Sequence, residues 1–547
     1  MPTASYAEPL PYPEDMEHGE VFTRRWVVDL ILDLAGYTLD RDLVGVRAVE
    51  PAAGSGAFVL PMLERLSDSL LAHGRKLTEA KGFRAYELLT DNLESLRFDA
   101  TQLLLDRGWP ASQVRTFLNR SLICGDYLLT EHPPGQVDVL VGNPPYIRLE
   151  DLGERLSEYQ AVSPSMKGRA DIFVGFFDVG LNTLANEGRC VFICADRWMH
   201  HSYGKALRKR VVSSFSMDVV LTMHDADAFE DSVSAYPAIT VIRNGVQGQV
   251  LMASGSADFG QPGAEQFSMW AVAPSQDFQH EGISAAVLPS WFETEDLWPD
   301  ASPARIAWLE HISETMPTIE ESDARIRIGI ATGADDVYVV GPGKLPDIES
   351  ERLLPLSVRD DIISGSFSWT GKYLVDPWGP EGPVDLKDYP RLRDYLEQHP
   401  VVKERSIAKR SGSNWHRTID RVFHEIAEKP KILLADMQSR ANPVLEKGGY
   451  YPHHNLYYIT SDSWNLRVLG GLMLSEVIEA QIAAYCVKMR GGTLRFQAQY
   501  LRKVRVPNQS AIKPETAQRL AEAFDDRDRD AATRAALEAY GLASLPT

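Results

Sequence analysis

Residues Val137-Asp138-Val139-Leu140-Val141-Gly142-Asn143-Pro144-Pro145-Tyr146 constrain this chain more than any other stretch. Apolar and β-branched side chains run up to Gly142, as in a buried strand. The two prolines then end any ladder, because each lacks a donor and fixes its own φ. Pro144 also biases Asn143 away from the α region. The pattern predicts a stiff turn at the carboxyl end of a strand. That turn carries an amide side chain, a free backbone carbonyl and an aromatic ring. Pro-Pro after a strand also serves as a plain stop signal; Asn before it and Tyr after it favour a site.

An exocyclic amine on an aromatic ring is a poor nucleophile, since its lone pair is delocalised into the ring. Two acceptors aimed at its N–H bonds draw it toward tetrahedral geometry. Asn143 Oδ1 and the Pro144 carbonyl are suited to that task, and the Tyr146 ring to stacking on the base. Such a site works through preorganised dipoles and needs no strong base. Asn143, Pro144, Pro145 and Tyr146 resemble the Asn-Pro-Pro-Tyr motif of amino-group methyltransferases, above all the N6-adenine DNA methyltransferases.

A second motif lies upstream. Val46 to Val49 reads as a short strand, followed by Glu50-Pro51-Ala52-Ala53-Gly54-Ser55-Gly56-Ala57-Phe58 and a long helix. Glycines let the backbone approach a ligand, and the following helix N-terminus favours an anionic group. This stretch is similar to the nucleotide-binding motif of class I methyltransferases, so the resemblance gives Glu50, Ala52, Gly54 and Gly56 to S-adenosyl-L-methionine. No Gly-Lys-Ser/Thr follows, which excludes a phosphate loop. An acid at the end of a second strand is where doubly wound folds bind ribose hydroxyls. That is Glu87, with Asp91 in reserve. Asp126 is expected to accept from the cofactor's adenine amino group, with Tyr127 beside the ring. Thr23 reads as the N-cap of an amphipathic helix; the resemblance implies a contact with the methionine end of the cofactor, although Arg24 stands where the family usually has Pro. The resemblance also implies that Phe229 stacks on the far face of the target base.

The 547 residues suggest two or three domains. Four cysteines make no disulfide framework in so long a chain, and no apolar run is long enough to cross a membrane. A reducing, cytoplasmic setting is expected. The net charge of −20 runs against nucleic acid binding, which usually leaves a basic footprint. Two basic windows run the other way. Lys488 to Arg505 holds Arg495, Arg502 and Lys503 and no acid, and Lys403 to Lys431 includes Lys429 and Lys431. These five are the expected DNA contacts. His453-His454 suggests a metal, but no acid or Cys stands at ligand spacing, so no metal is expected.

The expected fold is α/β: a Rossmann-like class I methyltransferase sheet with helices on both faces, plus a C-terminal α+β target-recognition domain. The expected segments are a flexible N-terminus (1–18), a methyltransferase domain (19–245), a linker or peripheral segment (246–318), a recognition domain (319–508) and a helical tail (509–547). The motif order resembles the gamma class of N6-adenine DNA methyltransferases, often the modification partners of Type II restriction enzymes. That resemblance implies double-stranded DNA as substrate, a flipped adenine as target, and a separately encoded cognate endonuclease. Three other readings are an amino or amide methyltransferase acting on RNA or protein, a fused restriction–modification enzyme, and an inactive DNA-binding module.

Overall fold

The computed structural model describes residues 22–168, 170–230, 236–275, 278–343, 345–486 and 493–546. The N-terminal segment, Asp231 to Ala235 of the Phe229 loop, and Lys488, Arg490, Gly491 and Gly492 of the basic window lie outside them. The chain forms two compact units, Met1–Pro303 and Ala304–Thr547.

The first unit is built on a ten-stranded sheet. Its strands are β1 (Ala48–Glu50), β2 (Arg84–Glu87), β3 (Leu122–Cys124), β4 (Val137–Gly142), β5 (Leu184–Ala195), β6 (Ser216–Thr222), β7 (Pro237–Arg243), β8 (Val250–Gly255), β9 (Phe278–His280) and β10 (Ile283–Leu288). They lie in the order β3-β2-β1-β4-β5-β7-β6-β8-β10-β9. The first five are parallel, and β7 enters antiparallel between β5 and β6. Two-faced burial explains their unbroken apolar runs: Leu140, Val141, Val191 and Ile193 are fully covered. Chain direction across the sheet reverses at β1 and β4, where open α/β sheets hold ligands outside the strand carboxyl ends.

One expectation fails here. Residues 246–318 are not a linker throughout, because β8, β9 and β10 extend the sheet and the helix Gln261–Val272 packs behind them, burying Phe267. Gly, Ser, Pro and Ala recur through this stretch. Val250, Met252, Ile283 and Ala285 are buried within it, a sparse pattern that hid the strands.

The second unit holds two four-stranded sheets and a short ribbon. The strands are β11 (Ala324–Ile328), β12 (Val339–Val340), β13 (Leu353–Ser357), β14 (Tyr373–Val375), β15 (Lys431–Ala435), β16 (Met437–Gln438), β17 (Val444–Glu446), β18 (Tyr451–Pro452), β19 (Leu456–Ser461) and β20 (Leu494–Arg495). One sheet runs β11-β19-β15-β17, the other β12-β14-β13-β18, and β16 pairs β20. The short helix Asp335–Tyr338 leads directly into β12. The charged C-terminal stretch forms helices Pro514–Asp525 and Arg529–Ala539, whose Leu520, Phe524, Ala532 and Ala536 are buried. Among the described residues no single helix is long and apolar enough to cross a membrane.

Candidate active site

Glu50 ends β1, Glu87 ends β2, Asp126 stands two residues after β3, and Asn143 follows β4. Four separate strands therefore deliver these side chains to one edge of the sheet. A pocket of roughly 1030 Å³, open solvent included, lies there. Thr23, Ala52, Gly54, Glu87, Asp126, Tyr127, Asn143 and Pro145 line it, which unites most of the residues expected from sequence. Its apolar walls come from Leu88, Leu89, Leu128, Ile147, Ile172 and Phe176. An apolar slot with a few convergent polar groups is the usual form of a small-molecule site.

Glu87 organises the glycine turn. It is buried, its Oε2 accepts from Gly54 N at 2.7 Å and its Oε1 from Leu89 N at 2.8 Å. Asp91 sits exposed in the first turn of the next helix and does not line the pocket. Glu50 acts one layer deeper than expected. Its carboxylate is covered, Oε1 accepts from Ala52 N at 3.0 Å, and Oε2 has no hydrogen-bond partner among the described residues. Burial raises its proton affinity well above the usual carboxylate range, despite the Ala52 bond. A Cβ on Gly142, at φ 157°, would lie 2.5 Å from Glu50 Oε1, so only glycine leaves room for the acid. Gly56, at φ 105°, likewise abuts Leu96, within 2.6 Å of where a Cβ would sit.

Asp126 lines the pocket with its carboxylate already engaged. It accepts from Leu128 N at 3.0 Å, Tyr159 Oη at 2.7 Å and Arg155 Nη2 at 3.1 Å. A carboxylate has about four acceptor positions, so one more donor fits. Arg155 and Tyr159 are site residues that sequence reasoning missed. They lie on a short segment with no motif, and only the fold brings them to Asp126. Tyr127 stacks on Phe176, with centroids 5.9 Å apart and planes within 9°.

Asn143 Nδ2 donates to Thr23 Oγ1 at 3.2 Å. The bond directs the amide nitrogen to Thr23 and turns Oδ1 the other way. Thr23 is therefore not the helix N-cap expected: Arg24 holds that position, with no side-chain cap. Thr23 instead forms a β-bridge with Phe229, flanked by Arg24 N to Ala228 O at 3.0 Å and Glu230 N to Phe22 O at 2.9 Å. Phe229 thus serves in a backbone clamp. Phe229 is only 6% exposed, belongs to the core and does not line the pocket in this structure. Pro144 is buried, and the half-buried Tyr146 ring tilts against Phe173. Burial pushes the Tyr146 phenol well above its usual range, so the ring stays neutral.

The expected DNA contacts divide. Lys431 is fully buried, and its ammonium pairs with Glu446 and donates to Tyr450 O at 3.1 Å, so it cannot meet a phosphate. Arg495 pairs with Asp436 at 2.5 Å and Arg502 with Glu320 at 3.3 Å. Lys429 pairs with Asp462 at 3.2 Å. The basic window is free of acid only along the sequence, because the fold returns acids to it from elsewhere. Phe496 and Tyr500 are core residues. Arg502 and Lys429 stay about half exposed, in pairs that water screens. Lys503 is partly buried.

Residues 69–229 match the Eco57I restriction-modification methylase family. The chain is 38% identical over 534 residues to the Type II methyltransferase M.XhoI of Xanthomonas vasicola, covering 96% of this chain and 97% of that one. It is 39% identical over 546 residues to the Type II methyltransferase M.PaeR7I of Pseudomonas aeruginosa, covering 96% and 92%. Among solved structures, the Type IIL restriction-modification enzyme MmeI, determined in complex with DNA, aligns with TM-score 0.56 at 11% identity, over 95% of this chain and 74% of that one. At that identity the likeness speaks to fold.

Proposed function

The chain belongs to the Type II methyltransferases of restriction-modification systems, and from that premise we propose that it methylates the N6 of an adenine flipped out of duplex DNA, with S-adenosylmethionine as donor. The observation that carries this reading is the Asn143 amide: it borders the pocket, and Thr23 holds its nitrogen so that Oδ1 is the atom offered to an amine.

The donor set of the pocket fits the cofactor. Glu87 suits a ribose diol, Asp126 retains an acceptor position for an adenine amino group, and the apolar walls suit a purine. Glu50 contributes indirectly, by fixing Ala52. When bound, S-adenosylmethionine supplies an electrophilic methyl group. The protein's own part is positioning and polarisation. Asn143 Oδ1 and the Pro144 carbonyl accept the two N–H bonds of the target amine and localise its lone pair. Tyr146 supplies a face for the flipped base; Phe229 does not in this conformation. Flipping costs a few kcal/mol of unstacking, which contacts to the extruded base offset. Arg502 and Lys429 are the exposed cations best suited to phosphates, which position a duplex without reading it. A separately encoded endonuclease reading the same site is the expected companion.

The test is methylation of duplex DNA by the full chain and by Asn143→Ala. The variant should lose roughly 10²–10³ or more in turnover while binding the cofactor nearly as well as wild type. Turnover within tenfold of wild type would overturn the assignment of Asn143.

A further inference from the structure

His453 and His454 lack a nearby acid in the sequence, but the fold supplies one. Asp335 lies 118 residues away, and its Oδ2 stands 3.1 Å from His453 Nε2 and 3.8 Å from His454 Nδ1. The three ligand atoms all lie within 4.8 Å of one another. We propose that Asp335, His453 and His454 form a binding site for a divalent transition metal of the zinc type in the second compact unit.

The geometry fits such an ion. Zinc binds imidazole nitrogen and carboxylate oxygen at about 2.0–2.1 Å. Two ligands of a tetrahedron with those bonds lie roughly 3.3 Å apart. The two Asp335–His distances fall on either side of that value. A simple His–Asp hydrogen bond accounts for His453 alone. It gives no reason for a second imidazole nitrogen to face the same carboxylate oxygen.

The ligands are also held in place. Thr332 Oγ1 donates to Asp335 Oδ1 at 2.5 Å, which turns Oδ2 toward the histidines. His453 N donates to Ser357 O at 2.9 Å, and His454 N to Ile330 O at 3.0 Å. Ile330 N returns a bond to Pro452 O at 2.8 Å. Three chain segments thus fix the backbone under the site. The His453 side chain is 8% exposed, while Asp335 and His454 are 41% and 43% exposed. The cluster is therefore open on one side, which gives an ion a path in and leaves a fourth position for water. Two nitrogens and one oxygen suit zinc, nickel or cobalt; calcium and magnesium prefer all-oxygen sets. Asp335, His453 and His454 are not among the residues lining the methyl-transfer pocket.

Tag-free full-length protein, stripped with chelator and exchanged into metal-free buffer, is titrated with Zn²⁺ by calorimetry. Wild type should bind one equivalent with a dissociation constant below about 1 μM, and thermal unfolding should shift up by roughly 5–15 °C when free metal is near 1,000 times that constant. Co²⁺ should give tetrahedral or five-coordinate ligand-field bands without a thiolate charge-transfer band. His454→Ala alters an exposed side chain and should bind at least 100-fold more weakly, as should Asp335→Asn. Both variants are checked for native circular dichroism, and the cobalt spectrum of wild type stands if either misfolds. No stoichiometric binding by wild type, a cobalt spectrum showing thiolate ligation, or equal binding by folded His454→Ala would overturn the proposal.

Discussion

Glu87→Gln isolates what the acid at the end of β2 does. In the structure one carboxylate accepts from Gly54 N at 2.7 Å and Leu89 N at 2.8 Å while nearly buried. Gln keeps one acceptor oxygen and places an NH₂ group opposite the other N–H. One charge-assisted bond is lost, and two donors now face each other. The bond that sets affinity is the one a ribose hydroxyl donates to this carboxylate on binding, and a hydrogen bond to a charged group contributes about 1.5–3 kcal/mol. At about 1.4 kcal/mol per factor of ten, that is roughly a 10- to 150-fold rise in the cofactor dissociation constant. The rise should appear in calorimetric titration with S-adenosylmethionine or S-adenosylhomocysteine. Turnover at saturating cofactor should fall much less, because Asn143 is untouched. A dissociation constant within threefold of wild type would refute the reasoning. A larger effect from Asp91→Asn than from Glu87→Gln would transfer the ribose role to Asp91.

Thr23→Val keeps the shape of the side chain and removes the acceptor for Asn143 Nδ2. Turnover should drop by about 5- to 150-fold, the cost of about 1–3 kcal/mol for a lost buried partner, and Thr23→Ser should restore it to within about threefold; equal rates for the Val variant would remove Thr23 from the machinery. Lys431→Met leaves the buried Glu446 charge unpaired, so denaturant unfolding of the second unit should show a loss of about 3–5 kcal/mol, largely recovered by Lys431→Met with Glu446→Leu. A single variant within about 1 kcal/mol of wild type would mean that water reaches that pair.

The site was legible where the chemistry is local. Glu50, Glu87, Asp126 and Asn143 each stand at or just beyond the end of a short strand, and a parallel sheet must bring such strand ends together. Thr23 lines the pocket, but its contacts were not readable, because its partners Asn143 and Phe229 lie far along the chain. The core placement of Phe229 was not readable for the same reason: a loop aromatic reads alike whether it faces a ligand or the core. The acid partners of cations in the two basic windows were not legible along the sequence. Asp436, Glu320 and Glu446 neutralise Arg495, Arg502 and Lys431 from positions that no sequence window joins. Strands β8 to β10 escaped because a sheet interior tolerates Ala and Gly where a neighbouring strand supplies the bulk.

Product identity tests the central claim most directly. Duplex DNA incubated with the full chain and methyl-labelled S-adenosylmethionine is digested to nucleosides and separated by chromatography with mass detection. The label should appear in N6-methyldeoxyadenosine and be absent from the Asn143→Ala reaction. Label in N4-methyldeoxycytidine or 5-methyldeoxycytidine, or label that persists in the Asn143→Ala reaction, would contradict the account.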